Sequence, residues 1–221
     1  MTWDSVWEEI HKSREWGKYP SEPLVRFVAS NFLKMQSGKT LRMLEIGCGT
    51  GANLWFLARE GIETFGIEGS AFAVNKARER LDREAPEWRG CITEGDIIDL
   101  PFEAEFFDAV IDIEAVTHNE FANAKKIYDE TYRVLKPGGK LFSQTFSKGT
   151  WGDGTGEQIE ENGWITSEGP TSLGEFIRFT PFEDIQVLLS AFDYVNTEQM
   201  IRTMENGRES IIEWIVVADK I

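Results

Sequence analysis

The pattern of apolar and polar positions changes character near residue 40. Before it, Trp3, Val6, Trp7 and Ile10 recur at helical spacing with a charged opposite face and Trp16 just beyond, which predicts a short amphipathic helix. The run Trp16-Gly17-Lys18-Tyr19-Pro20 breaks that helix. Ser21 is placed to cap a second one, whose apolar stripe is Leu24, Val25, Phe27, Val28, Phe32 and Leu33, with Gly38 as its stop.

From residue 41 strands and helices alternate. Residues 41–47 form a short apolar strand ending in glycine, 52–61 a helix closed by Gly61, and 62–68 a second strand. Ser70 can cap a helix over 71–85 that Pro86 terminates, and a weak strand follows at 90–93. Residues 106–113, FFDAVIDI, have the continuous apolar character of a strand buried on both faces. Asn119 is placed to cap a helix running to about Leu135, Pro137-Gly138-Gly139 is a turn, and 139–146 is the next strand. Such alternation implies right-handed crossovers, hence an α/β fold with a parallel sheet and helices on both faces.

The tail departs from this rhythm. Thr180-Pro181-Phe182-Glu183 has the form of a capping box with proline at the first helical position, opening a helix to about Ala191. Two strand-like runs, 193–204 and 208–219, flank Glu205-Asn206-Gly207, and Asn-Gly between such runs is a strong hairpin signal. The sheet is thus expected to gain a C-terminal antiparallel hairpin. Residues 147–179 resemble neither strand nor helix over most of their length, and structureless stretches of that size usually form lids or binding loops.

Composition narrows the function classes. The 221 residues are 41% hydrophobic and 28% charged, as in ordinary globular domains, and fit a single domain with a substantial core. Lys and Arg number 23 against 38 Asp and Glu, a net charge of −15, which argues against a nucleic-acid binder or an anionic-membrane binder. Two cysteines, Cys48 and Cys91, make neither a disulfide scaffold nor a zinc site, and no His/Asp/Glu cluster has ligand spacing, so no metal is expected. The absence of a basic and apolar leader points to a cytoplasmic location.

The chemistry concentrates in Leu44-Glu45-Ile46-Gly47-Cys48-Gly49-Thr50-Gly51-Ala52, between a predicted strand and a predicted helix. Glycines there allow a tight turn and close backbone approach to a ligand at a helix N-terminus. Gly47, Gly49 and Ala52 also satisfy the dinucleotide pattern G-x-G-x-x-G/A. Glu68 ends the second strand 21 residues after Gly47, where a carboxylate can bridge ribose hydroxyls, as both cofactor classes require. Glu45 before the glycines and Asp96 after the third strand are not asked for by a nicotinamide site.

The set EIGCGTG, GIEGS, EGDIIDLPF, FDAVIDIEAV and YRVLKPGGKLF, in that order over roughly residues 40–146, resembles the class I S-adenosylmethionine-dependent methyltransferases. The resemblance implies a Rossmann-like three-layer sandwich with a mainly parallel seven-stranded sheet. Its cofactor is S-adenosyl-L-methionine, with S-adenosyl-L-homocysteine as product. Residue by residue it implies Gly47, Cys48, Gly49 and the adjoining Glu45 and Gly51 around methionine and ribose. Glu68, Gly69 and Ser70 would lie at the ribose hydroxyls, Asp96 and Ile97 at adenine, and Ile113 and Glu114 at the active-site mouth.

Methyl transfer from a sulfonium needs mostly positioning and desolvation. Where the acceptor holds its proton, a base helps. His118 and Glu114 are the catalytic candidates, while His11 reads as a surface residue on a charged helix face. Trp16, Tyr19, Trp151 and Trp164 sit beside Gly or Pro outside regular elements and are candidates for a lid or substrate pocket. The WG-x-YP run also resembles small bacterial methyltransferases. Arg178 is placed either to grip an anionic substrate group or to form a surface ion pair. The expected organisation is a helical cap at 1–38, a cofactor core at 40–146, a substrate or lid insertion at 147–179, and a C-terminal helix and hairpin at 180–221. A small-molecule acceptor is expected because no appended recognition domain or basic surface is visible; the oligomeric state is left open. Two other functions stay in view. One is a nicotinamide-dependent oxidoreductase, weakened by the lack of a Ser/Tyr-x-x-x-Lys pair, and the other a non-catalytic nucleoside-binding protein.

Overall fold

A computed structural model describes residues 3–15, 17–35 and 40–221. Helices α1 (Val6–Ser13) and α2 (Glu22–Asn31) precede β1 (Arg42–Ile46), α3 (Ala52–Arg59), β2 (Glu63–Glu68), α4 (Ala71–Glu84), β3 (Gly90–Glu94) and β4 (Phe107–Ile113). After a 3₁₀ turn at Val116–His118 come α5 (Phe121–Val134), β5 (Leu135–Phe146), β6 (Glu157–Glu160), β7 (Gly163–Ile165) and β8 (Phe176–Arg178). The chain finishes with α6 (Phe182–Leu188), β9 (Tyr194–Met204) and β10 (Glu209–Asp219).

The main sheet has seven strands in the order β3-β2-β1-β4-β5-β10-β9. β1 to β5 pair in parallel, and β10 runs antiparallel to both β5 and β9. The order reverses direction at β1, and ligands of open α/β sheets bind at the carboxyl ends of the strands at such a switch point.

Side-chain alternation along the strands splits the core in two. Leu44 and Val110 face a cluster closed by Ile127, Tyr128 and Val134 of α5 and by Ile185 and Leu188 of α6. Met43, Ala109 and Ile111 face the other side, where Leu24 and Phe27 of α2, Leu54 and Leu57 of α3, and Val74 and Leu81 of α4 complete the packing. Glu45 shares the second face and is only 2% exposed.

The predicted caps are met unevenly. Ser21 accepts from the Leu24 amide and Ser70 from the Ala73 amide, as expected. Asn119 is not the cap of α5: its Nδ2 donates to the Ala115 carbonyl, and the Phe121 amide is instead taken by Glu160 Oε1 from β6 at 2.8 Å. The capping box at Thr180 does not form either. The Thr180 amide donates to Phe146, its hydroxyl is buried without a partner, and α6 stops at Leu188 rather than Ala191. In both places tertiary partners outcompete local ones. The turn expected at Pro137-Gly139 belongs to β5, which starts directly after α5. The stop expected at Gly38 lies outside the described residues, and α2 ends at Asn31.

The larger correction concerns residues 147–179. They are not structureless: β6, β7 and β8 make a separate antiparallel three-stranded sheet. Its strands have only four, three and three residues, too short for alternation to register. Trp151 and Trp164 pack against a satellite core of Phe146, Ile177, Phe179 and Ile211.

Candidate active site

At the carboxyl ends of β1, β2 and β4 lies a cavity of about 350 Å³. Its floor is the loop after β1. Gly47, Gly49 and Gly51 have φ of +65°, +48° and +82°, and an added Cβ on Gly47 would meet Ala115 Cβ at 2.4 Å. Glycine is required at Gly47 on both counts. Of the residues expected at the site, Glu45, Gly47, Cys48, Gly49, Glu68, Gly69, Asp96, Ile97, Ile113, Glu114, His118 and Tyr19 line this cavity. Gly51 stands behind it as the N-cap of α3, and Ser70 serves as the cap of α4 while its hydroxyl donates to Glu8 of α1. Trp16 lies outside the described residues.

The loop's hydrogen bonds decide what it can hold. The amides of Gly47 and Cys48 both donate to the Ile67 carbonyl, at 2.8 and 3.2 Å, and that of Gly51 donates to Cys48. The Gly49 amide donates to Glu68 Oε2 at 2.9 Å and the Ser70 amide to Glu68 Oε1 at 2.9 Å. Glu45 reaches the start of α3, where Asn53 Nδ2 donates to Oε1 at 2.6 Å and the Leu54 amide faces the carboxyl group. A pyrophosphate needs free loop amides at a helix N-terminus. Here the Gly47, Cys48, Gly49 and Gly51 amides are satisfied internally and the Glu45 carboxyl group stands at the start of α3, which argues against a pyrophosphate on the pattern of Gly47, Gly49 and Ala52.

Several buried acids surround the space. Burial pushes Glu45 up to about 8, against the lowering effect of Asn53, and its Oε2 is buried without a partner. Glu114, in the left-handed region at φ +57°, is also pushed up to about 8, by burial first and by the neighbouring Glu213 second. Asp112, just below, is raised by burial while the Ser143 and Tyr128 hydroxyls and the Ala115 and Val116 amides hold its carboxylate. Burial raises the Cys48 thiol well above its ordinary value, so the thiol stays protonated and is no nucleophile.

His118 Nδ1 lies 2.8 Å from the Phe176 carbonyl. A carbonyl only accepts, so the proton is on Nδ1 and the lone pair on Nε2. Burial lowers the imidazole to about 4, keeping it neutral. Thr117 Oγ1 donates to the Arg178 carbonyl beside it at 2.6 Å. The insertion therefore reaches the site through the backbone of β8, not through its tryptophans.

Trp151, Trp164 and Arg178 do not line the cavity. Arg178 is not a surface ion-pair former, and it lines neither this cavity nor the smaller one adjoining it. It is 1% exposed, its guanidinium lies 5.7 Å from the Phe121 ring centroid, and Nε and Nη1 have no hydrogen-bond partner.

In their place α1 supplies Trp7 and His11, and the segment just before it supplies Trp3. His11 is 6% exposed rather than on the surface, and burial lowers it while Glu68 and Glu8 pull the other way. Trp3 covers Gly69 so closely that a Cβ there would sit 2.0 Å from the indole. The signal for these residues was in the sequence: 3, 7, 10 and 11 share one helical face. What the spacing does not carry is that this face covers a ligand cavity.

Residues 44–143 match the family described as a methyltransferase domain. Over 107 residues the chain is 32% identical to sterol 24-C-methyltransferase of Debaryomyces hansenii, an alignment that takes in 48% of this chain and 28% of that one. The chain thus covers well under half the length of that relative. A S-adenosylmethionine-dependent methyltransferase from Methanosarcina mazei superposes with a TM-score of 0.67 at 20% identity, covering 88% of this chain and 97% of the other. Phosphoethanolamine N-methyltransferase 2 of Haemonchus contortus, solved with S-adenosyl-L-methionine, superposes with a TM-score of 0.66 at 18% identity, covering 97% and 56%.

Proposed function

We propose that this chain is a class I S-adenosylmethionine-dependent methyltransferase that transfers a methyl group to a small-molecule acceptor, a reading supported by its methyltransferase-domain match and its fold. The carrying observation is the pairing of internally satisfied loop amides with the orphaned, buried Oε2 of Glu45. That combination repels a pyrophosphate and suits a ligand that brings an ammonium group and a nucleoside.

The residues present fit S-adenosylmethionine. Glu45 Oε2 lacks a donor that the cofactor's amino group would supply, and Trp3 Nε1 is a buried donor without an acceptor. Glu68 is held by the Gly49 and Ser70 amides at 2.9 Å each, which aims its remaining lone pairs at the space for a ribose. Asp96 Oδ1 accepts from the Ile98 amide at 3.2 Å, which fixes that carboxylate beside Ile97 for an adenine amino group. When bound, the cofactor supplies an activated sulfonium methyl group for in-line displacement.

The protein's own part is to bind, orient and keep water out. Gly47 lets the backbone approach closely, and Trp3 with Trp7 of α1 covers the cavity. That cover supports the reading of residues 1–38 as a helical cap. Glu114 lines the cavity with a raised affinity for a proton, set by burial and by the neighbouring Glu213. His118 presents Nε2 as the neutral acceptor for a proton leaving the substrate. Both act in a dry site, where charge interactions are stronger than in water.

The acidic balance leaves nucleic acid an improbable substrate, and among the described residues no helix is long and apolar enough to cross a membrane. A small metabolite fits the acidic balance best. Calorimetry with S-adenosylhomocysteine and with NAD tests the cofactor reading: binding of the first alone is expected, and binding of NAD alone overturns it. Homocysteine release across metabolite pools then identifies the acceptor and separates an enzyme from a binder.

A further inference from the structure

A second cavity of about 140 Å³ adjoins the first. Trp7 and His118 line both, with their rings edge to face and centroids 4.6 Å apart, so the two cavities meet at this pair. The rest of the second cavity is markedly acidic. Asp4, Glu120 and Glu175 line it, and among the described lining residues there is neither Lys nor Arg.

Glu175 is the informative member. It is 2% exposed and its Oε2 is buried with no hydrogen-bond partner. An orphaned buried acceptor of this kind carries a desolvation penalty, larger where the group is charged. Burial pushes Glu175 up to about 7, while Arg14 favours its ionised form and Asp4 opposes it. A ligand carboxylate or phosphate would add to the repulsion. A hydroxyl would satisfy the oxygen without offsetting the charge. An ammonium group does both, and the Trp7 indole adds an aromatic surface of the kind that attracts cations.

We propose that the second cavity holds the methyl acceptor and that the acceptor presents an amine, seated as ammonium on Glu175. This rests on the first cavity being the S-adenosylmethionine site. Before transfer the ammonium gives up one proton to solvent; the freed nitrogen lone pair then forms the N–C bond as the S–C bond breaks, and that bond's electron pair stays on sulfur.

The test uses the full chain saturated with S-adenosylhomocysteine, titrated with propylamine and separately with 1-propanol, and followed by the Trp7 indole NMR signal. Propylammonium is expected to bind at least about 10-fold more tightly than its neutral isostere, as a charge-assisted bond implies. Glu175→Gln removes that preference without changing the affinity for S-adenosylhomocysteine. Glu120→Gln, at an exposed position and so safe for folding, weakens the amine about 2-fold by removing one screened charge. Equal binding of amine and alcohol overturns the proposal, and so does wild-type amine affinity in both variants. If S-adenosylhomocysteine fails to bind, the first-cavity reading fails by itself, and titrating the unliganded chain still reports on the amine site.

Discussion

Asn53 Nδ2 donates to Glu45 Oε1 across 2.6 Å, while the other oxygen of the same carboxyl group has no partner. One side chain thus fixes Glu45 at the start of α3 and leaves half of it to the ligand. Glu45→Gln is expected to weaken S-adenosylhomocysteine by about 10-fold or more, the value of a hydrogen bond to a charged group. The bond also predicts a proton signature. Glu45 is protonated near neutrality in the free protein, and an arriving ammonium group favours its ionised form. Binding at pH 7 should therefore release roughly one proton, read as a dependence of calorimetric heat on buffer ionisation enthalpy. Glu45→Gln should abolish that dependence.

The glycine loop makes a steric prediction with an internal control. Gly47→Ala would force a Cβ to within 2.4 Å of Ala115 Cβ at φ +65°, whereas Gly138→Ala at φ +80° meets open space. The second substitution should cost about 1 kcal/mol from left-handed backbone strain alone. The first should cost about 2–4 kcal/mol, because overpacking adds to the same strain, and should abolish cofactor binding. Denaturant unfolding of both variants checks the difference.

Stability should fall as pH rises past neutrality. Glu45 and Glu114 have folded values near 8, above their ordinary carboxyl range, so the folded state holds protons that the unfolded chain has already lost. Stability from such groups is fully present below the unfolded value and is lost as pH rises toward the folded one. His118, lowered to about 4, acts oppositely but only below its ordinary value of 6.5. Between pH 6.5 and 8 the acids act alone, and the cofactor-free protein should lose about 1–3 kcal/mol over that window. Thermal unfolding in matched ionic strength measures this, and a rise in melting temperature over the window would contradict it.

The displaced tryptophans give a separation of function. Trp164 packs on the satellite core away from the cavity, so Trp164→Ala should destabilise by about 2 kcal/mol for a half-buried aromatic with S-adenosylhomocysteine affinity unchanged. Trp7→Ala should instead weaken ligand binding, because Trp7 lines both cavities. Paired melting and binding measurements on the two variants distinguish the roles.

The alternation of apolar runs with period 2 and stripes with period 3.6 determined, from sequence alone, the strands and helices of the central sheet, their order and the C-terminal hairpin. These features are local or nearly so: whether a strand is buried on one face or two is written in its own residues. The glycine loop, Glu68 and Asp96 were legible for the same reason, since each sits at a strand end whose position the topology dictates. Tertiary structure alone decided the rest. The α5 amide goes to Glu160 rather than Asn119 because the nearer acceptor turned to Ala115. Arg178 is buried because β8 docks on the Val116–His118 turn. His11 and Trp7 enter the site because α1 folds back over β2 and α4, with Glu8 taking the Ser70 hydroxyl. A side chain's burial, protonation and partners depend on segments tens of residues away, and no local pattern encodes which of them arrives.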